Sequence, residues 1–308
     1  EADYGECVYI NDAILKGQGS LIRNLMTDKM IFWTWKTKEV QHLLEWMSSY
    51  NQDKTEEDKI QYIGVDCQFN KYNTILLMEF LAEAGPAISD FAENILDSVK
   101  NAHDTQFENY NNNSYSLLLN RINTLIDTVK YHESELISKS SNETFQFYAH
   151  MLEVVKQSFT VRFHSHMNDY SHNYRDEFMA KNVEWILDQD PNNKVVVWAH
   201  NGHVAGNPST YSHAGGSMGF HLKNSLSEDY KVLGFSFSMG SFRAVGHDGK
   251  NYTGLKVHEI SEDPVPESLN DIYSKSAYDC FGISMVRLLS DPEWNNQFEV
   301  NQKMLSLG

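Results

Sequence analysis

The chain has 308 residues, of which 41% are hydrophobic and 22% charged, a composition typical of one large globular domain or two unequal ones. Its 42 acidic residues outnumber the 25 basic ones, and a surface with a net charge of −17 repels phosphate backbones, which argues against a nucleic-acid partner. No apolar run is long enough to predict a membrane span.

Short apolar runs predict strands, and helical patterns or long loops separate them. The runs comprise residues 61–65, 195–199, 232–238 and 282–288. Strands that alternate with helices predict an α/β fold, in which a mainly parallel sheet carries helices on both faces. Ligands bind such a sheet at the carboxyl ends of its strands, because the loops there leave a crevice.

Residues 70–160 differ from the rest because they contain helical patterns and no strand signal. Apolar residues recur at helical spacing in residues 75–80, 88–99, 115–129 and 144–155. We predict a helical insertion or lid subdomain over the carboxyl edge of the sheet, where it would shape substrate specificity. The α/β core would then consist of residues 1–69 and 161–308.

A group of histidines precedes the next helical pattern. His164, His166 and His172 could favour zinc, copper or nickel, since these metals accept imidazole ligands. Their spacing, however, matches no common metal motif such as His-Glu-x-x-His. Histidines that line the start of a helix are the interpretation we favour.

The most informative segment follows the apolar run of residues 195–199. Here the sequence changes abruptly to His200-Asn201-Gly202-His203. Two imidazoles at the carboxyl end of a strand indicate either titratable catalytic groups or metal ligands. The alternative is a pair of histidines that only complete the hydrogen bonds of a loop.

Trp198-Ala199-His200-Asn201-Gly202-His203 resembles the Trp-Ala-His-Asn-x-His signature of the erythromycin esterase family. Further motifs of that family are matched in the same order by residues 1–17, 35–51, 63–68, 174–182, 218–222 and 234–242. The resemblance covers nearly the whole chain except the loop-rich middle and the last stretch. It implies an erythromycin esterase-like fold and hydrolysis of a carboxylic ester or macrolactone; many members of the family have unknown substrates.

The resemblance also implies a set of site residues around one crevice. The catalytic groups would be His200, His203 and Glu1, and the substrate-binding groups Arg175, Asn201 and Asp66. A histidine can donate or accept a proton near neutral pH, and Arg175 can supply a fixed positive charge to an oxyanion or a carboxylate. We expect Asp176 to be a structural partner, since adjacent residues of a helix do not share a face.

One family motif has no match here. Family members begin with Gly-Glu-x-x-His-Gly, whose histidine is held to activate water, whereas this sequence starts at Glu1, where the second motif would begin. We expect a preceding segment that this sequence does not include; a chain without it would lack the presumed base. No Gly-x-Ser-x-Gly motif is present either, so an acyl-serine mechanism has little support.

The alternative function is a non-catalytic protein whose crevice binds a small ligand or a metal. We expect no cofactor, although a divalent metal at His200 and His203 is possible. The expected partner is a small-molecule substrate, and the oligomeric state is left open.

Cys7, Cys67 and Cys280 have no CxxC spacing, which argues against a disulfide framework. A cytoplasmic location is favoured, with a secreted or periplasmic one possible if a signal peptide has been removed.

Overall fold

The computed structural model describes residues 1–206, 215–237, 239–248, 252–260, 269–276, 278 and 282–284. The chain divides into two compact units, Glu1–Lys231 and Val232–Gly308. The prediction of an α/β core in residues 1–69 and 161–308 with a helical lid is a different division, and it stays a prediction.

Helices make up most of the first unit. They are α1 (Tyr4–Leu15), α2 (Ile22–Lys29), α3 (Lys38–Asn51), α4 (Lys71–Ala84), α5 (Pro86–Asp104), α6 (Asn112–Tyr131), α7 (Glu133–Lys139), α8 (Asn142–His166), α9 (Tyr174–Asp188), α10 (Asn201–Val204) and α11 (Met218–Leu226). Short 3-10 turns at Gly19–Leu21, Trp33–Trp35, Glu56–Asp58 and Ser227–Asp229 lie between them. None of the described helices is both long and apolar enough to cross a membrane.

The helical patterns in the middle of the sequence correspond to α4–α8, and their apolar stripes form the largest core. Pro86 starts α5, where its missing N–H costs nothing, and Ile95 and Val99 of that helix are fully buried. They pack in one cluster with Ile122 and Leu125 of α6 and with residues of α4 and α8. Burial of these stripes stabilises the helices more than local propensity does.

The mainly parallel sheet is not found among the described residues. Residues 61–65 and 195–199 are extended but form no strand ladder, and a single parallel bridge joins Asp3 to Asp66. The segment 1–3 lies between the other two, and α1 follows it at once, so the pairing does not continue beyond the Asp3–Asp66 bridge.

Three extended segments nevertheless meet at one place. The main-chain N–H groups of Val65 and Asp66 donate to the Ala2 carbonyl, each at 3.0 Å. On the other side, the main-chain nitrogen of Glu1 donates to the Trp198 carbonyl at 2.8 Å. The residues that end these segments are thereby brought together.

The segment 195–199 uses its two faces differently. Val195, Val197 and Ala199 pack against a cluster that includes Met179 of α9 and Leu222 of α11. Side chains alternate across an extended chain, so residues 196, 198 and 200 lie on the opposite face.

The second unit contains an antiparallel hairpin that the sequence did not predict. Strand β1 (Gly240–His247) pairs with β2 (Tyr252–Ile260), with Gly240 opposite Ile260. The helix α12 (Leu269–Ser274) follows. Within the predicted strands of this unit, residues 232–237 and 282–284 adopt no regular structure, while 238 and 285–288 lie outside the described residues.

Candidate active site

Arg175, in the first turn of α9, is the centre of the candidate site. Its Nε and Nη2 donate to the two carboxylate oxygens of Asp66 at 2.9 and 2.7 Å. Nη2 also donates to Oε1 of Glu1 at 2.8 Å. One guanidinium therefore joins two carboxylates that the sequence separates widely, with the planar bidentate geometry that arginine favours.

Glu1 lies between Arg175 and the Trp-Ala-His-Asn segment. Its Oε2 accepts a hydrogen bond from the main-chain N–H of His200 at 2.9 Å, and its Oε1 lies 3.1 Å from Nε2 of His203. Burial opposes ionisation of this carboxyl, but the hydrogen bond and charge of His203, with the charge of Arg175, hold its pKa well below the usual range. Glu1 is therefore an ionised carboxylate at neutral pH.

His203 is buried, with 7% of its surface exposed, and both ring nitrogens have partners. Nδ1 lies 2.7 Å from Oδ1 of Asp176, and Nε2 lies 3.1 Å from both Glu1 and Nη1 of Arg175. Burial lowers the pKa of the imidazole, yet the hydrogen bonds to Asp176 and Glu1 outweigh burial and raise it above its ordinary value. The ring is thus fixed in place between two carboxylates.

Asp176 contributes directly to the site, although its position next to Arg175 in α9 suggested another face of the helix. Its Oδ1 accepts from the main-chain N–H of Met218 at 2.8 Å as well as contacting His203, and its Oδ2 accepts from Asn173 Nδ2 at 2.8 Å. The sequence carries only a partial signal for it, an acidic residue in the first turn of α9.

His200 caps the short helix α10 with its own ring. Its Nδ1 accepts a hydrogen bond from the main-chain N–H of Gly202 at 2.9 Å. An accepting Nδ1 carries no proton, so the neutral ring has its proton on Nε2. That Nε2 atom is buried and has no hydrogen-bond partner among the residues that the structure describes. The ring centre lies 6.2 Å from that of His203.

The two other residues predicted to bind substrate occupy different positions. Asp66 is 2% exposed, and besides Arg175 it accepts from the Cys67 main chain and from Gln68 Nε2, both at 2.8 Å. Asn201 is half-buried at the first position of α10. Asp66 thus holds Arg175, while Asn201 lies between the two histidines in sequence.

Two further buried carboxyls lie behind this network. Burial and the charges of Asp66 and Glu6 raise the pKa of Asp3. Both carboxylate oxygens of Glu6 are buried. Burial, together with the charge of Asp66, outweighs the hydrogen bond from the Ile31 main chain and the charge of Lys36, and raises the pKa of Glu6 from 4.5 to about 7.

The histidines of the 164–172 stretch do not gather into a metal site. His164 Nδ1 pairs with Asp169 at 2.8 Å and His172 Nε2 with Glu177 at 2.5 Å, on either side of the Tyr174 ring. Within the described part of the chain, no group of three His, Cys, Asp or Glu side chains could hold a metal.

The chain is similar to several known proteins. It is 25% identical over 194 residues to the putative hydrolase YbfO of Bacillus subtilis, an alignment that spans 56% of this chain and 42% of that protein, so the chain matches under half of its relative. The crystal structure of a succinoglycan biosynthesis protein has a TM-score of 0.66 at 18% identity and covers 85% of this chain and 62% of its own.

Two more solved structures share the fold. A Bacillus cereus protein has a TM-score of 0.64 at 22% identity, over 89% of this chain and 65% of its own. A histidine-to-asparagine mutant of the erythromycin esterase EreC, in its open conformation, has a TM-score of 0.65 at 17% identity, over 89% of this chain and 70% of its own. The erythromycin esterase family model matches residues 1–308, and the chain therefore belongs to the erythromycin esterase family.

Proposed function

We propose that this chain carries part of the active site of a hydrolase that cleaves a carboxylic ester or macrolactone by direct attack of water. The observation that carries the proposal is the arrangement around Arg175. It holds Glu1 as an ionised carboxylate against the main chain of His200, whose ring Nε2 is a buried donor without a partner among the described residues. Family membership and the similarity to YbfO support hydrolysis; the ester or lactone substrate is our inference.

His200 is the proton donor in this proposal. Its neutral ring carries a proton on Nε2, because Nδ1 accepts from Gly202. Such a donor can stabilise the oxyanion of a tetrahedral intermediate or protonate the leaving alkoxide. It is poorly arranged to be the base, since the atom that would accept a proton is occupied by a main-chain hydrogen bond.

Glu1 positions the attacking water. Oε1 already contacts Arg175 and His203, whereas Oε2 accepts from the His200 main chain and retains a lone pair. A water that donates to Oε2 would be held between this carboxylate and the His200 region. The family resemblance gives the role of base to the histidine of a Gly-Glu-x-x-His-Gly motif, and this proposal assigns that role to none of the site residues above.

His203 and Arg175 are positioning residues in this scheme. Both nitrogens of His203 are engaged, so its effect on the reaction passes through the orientation of Glu1. Asp66 holds Arg175 in the same way. In addition to its positioning role, Arg175 is proposed to contact the substrate, as is Asn201.

The test is hydrolysis of a panel of esters and macrolactones by the full-length protein, with and without a chelator. We expect His200→Ala to lower the rate about 100- to 10,000-fold, as loss of a general acid does. His42→Ala is the matched control, because His42 is an exposed histidine of α3. Unchanged turnover in a folded His200→Ala variant would refute the assignment, and chelator-sensitive turnover would make His200 a metal ligand instead.

The second candidate is a non-catalytic protein that binds a small ligand in the same crevice. The saturated hydrogen bonds of His203 and the low pKa of Glu1 favour it, since both make poor acid–base partners. In that case the folded wild-type protein would bind a ligand with no turnover of any ester in the panel.

A further inference from the structure

An exposed tryptophan borders the candidate site. Trp198 precedes His200 by two residues, and its carbonyl accepts the hydrogen bond from the main chain of Glu1 at 2.8 Å. Its side chain remains 53% exposed. The residue whose main chain contacts Glu1 thus also presents a large, half-exposed apolar ring, and sites that bind a ligand with an apolar body combine such rings with a few polar groups.

The ring of Trp198 is supported from one side by Trp35. The two rings meet edge to face, with centres 5.8 Å apart and planes at 87°. Trp35 is only 7% exposed and packs in a core cluster with residues of α1 and α3. Lys36, the next residue, donates to the Thr27 carbonyl at 3.0 Å and holds this turn in place. Trp198 therefore rests on a firmly packed neighbour.

Trp198 and His200 lie on the same face of their segment. Val197 and Ala199 pack into the cluster of α9 and α11, and side chains alternate along an extended chain. A ligand stacked on the Trp198 ring would therefore lie on the same face of the segment as the His200 side chain. The distance along the segment from residue 198 to 200 is roughly 7 Å, the size of one ring system.

We propose that Trp198, backed by Trp35, binds an apolar ring-bearing part of the substrate and so favours esters with a large hydrophobic group over small ones. This inference rests on the proposed hydrolase function. An aromatic face offers large contact area at little conformational cost, and it places no demand on the hydrogen bonds that Glu1 and Arg175 already make. Trp198, the first residue of the Trp-Ala-His-Asn-Gly-His motif, is thus a specificity residue.

The first experiment compares ester substrates with the full-length protein. Ethyl acetate is the small ester, and methyl 2-naphthoate and 2-naphthyl acetate carry a ring on the acid and the alcohol side. We expect Trp198→Ala to raise KM for at least one naphthyl ester about tenfold, with kcat retained and ethyl acetate unaffected. Trp198→Phe keeps an aromatic ring, so its KM should be close to that of wild type.

Trp46→Ala provides the matched control. Trp46 is 52% exposed, close to the 53% of Trp198, but it packs against Tyr50 on α3. Its removal should leave every KM unchanged. Equal effects of Trp46→Ala and Trp198→Ala, or an equal rise in KM for the small and the naphthyl esters, would overturn the proposal.

A binding measurement separates this inference from the proposed function. The neutral probe N-phenyl-1-naphthylamine becomes fluorescent in apolar sites and needs no turnover. We expect Trp198→Ala to weaken its binding about tenfold and Trp46→Ala to leave it unchanged. No ester turnover together with weaker probe binding would refute the hydrolase and support the aromatic site. Ester turnover with KM values and probe binding insensitive to Trp198→Ala would refute the aromatic site alone.

Discussion

The candidate site and the helical core are stabilised by opposite kinds of interaction. The core of α4, α5, α6 and α8 is a cluster of buried aliphatic and aromatic side chains, in which contacts are numerous and non-directional. The site depends on a few directional bonds that converge on Arg175 and join residues up to 199 positions apart in sequence. When one core contact is lost, the other contacts of the core remain. When the Arg175 guanidinium is lost, its hydrogen bonds to Asp66 and Glu1 are lost together.

This difference predicts which mutations change stability alone and which change both stability and turnover. Removal of a core side chain leaves a cavity but no unpaired charge. Removal of a partner from the site leaves a buried carboxylate without compensation, which is more costly than the net contribution of the pair. Mutations in the core should therefore change stability alone, while mutations in the site should change stability and turnover together.

The largest effect is expected at Arg175. Arg175→Met leaves Asp66 and Glu1 without their shared cation, so we expect a loss of about 3 to 5 kcal/mol in the free energy of unfolding and loss of turnover. Urea unfolding and ester hydrolysis measure the two effects. Arg121→Met is the control, since Arg121 is exposed and bonds only Asn94 among the contacts described for its side chain. Equal stability of the two variants would contradict the role assigned to Arg175.

A core truncation should be nearly as destabilising without affecting catalysis. Leu125 of α6 is fully buried, and Leu125→Ala is expected to cost about 3 kcal/mol in the free energy of unfolding through the cavity it leaves. The kcat of the folded fraction should be unchanged. Leu117→Ala, on the same helix but 67% exposed, should leave the free energy of unfolding within about 0.5 kcal/mol of wild type and kcat unchanged. A lowered kcat in Leu125→Ala would show that the two regions are coupled.

The two regions were also predictable to different degrees. The stripes of α5 and α6 follow from a period of 3.6 residues, a purely local signal. The meeting of Glu1, Arg175 and His203 could be anticipated only through the family motifs, because no local pattern relates residues so far apart. Asp176 was assigned to another face of its helix, yet it reaches His203 because that ring lies between the two adjacent side chains.

The sheet shows where local pattern fails. The apolar run at 195–199 predicted a strand, and the segment is indeed extended, but a ladder needs neighbours of matching length. The bridge between Asp3 and Asp66 is followed at once by α1 at Tyr4, so this pairing does not continue into a ladder. The hairpin of β1 and β2 was missed, because its strands lack a regular alternation of apolar and polar residues.

Glu6 tests the electrostatics behind the site. Its folded pKa of about 7 exceeds the ordinary value of 4.5, so the folded protein keeps a proton that the unfolded chain has already released between these pH values. Stability should therefore fall as the pH rises from 4.5 to 7 and stay lower above it, by on the order of 2 kcal/mol. Glu6→Gln should remove this part of the pH dependence.

The measurement for Glu6 is urea unfolding at pH 5 and pH 8. The difference between the two pH values should be smaller in Glu6→Gln than in wild type by on the order of 2 kcal/mol. Glu57→Gln, an exposed glutamate of the Glu56–Asp58 turn, should keep the wild-type difference. Identical pH dependence in wild type and Glu6→Gln would show that Glu6 is ionised in the folded protein at neutral pH.

The smallest effect is expected at the start of α6, in the helical region. The Asn111 side chain accepts from the main-chain N–H groups of Asn113 and Ser114 at 2.9 and 3.1 Å, and Ser114 Oγ accepts from the Asn111 main chain at 2.8 Å. Asn111→Ala leaves these helix-terminal donors to water and should cost about 1 kcal/mol in the free energy of unfolding. Asn112→Ala, exposed at the first position of the helix, is the control and should be nearly neutral.

The helix α6 packs in the helical core, and none of the candidate site residues named above lies on it. KM and kcat should therefore be unchanged in both variants. A change in turnover in Asn111→Ala without loss of stability would mean that the start of α6 acts on the site, and the contrast between the two regions would fail.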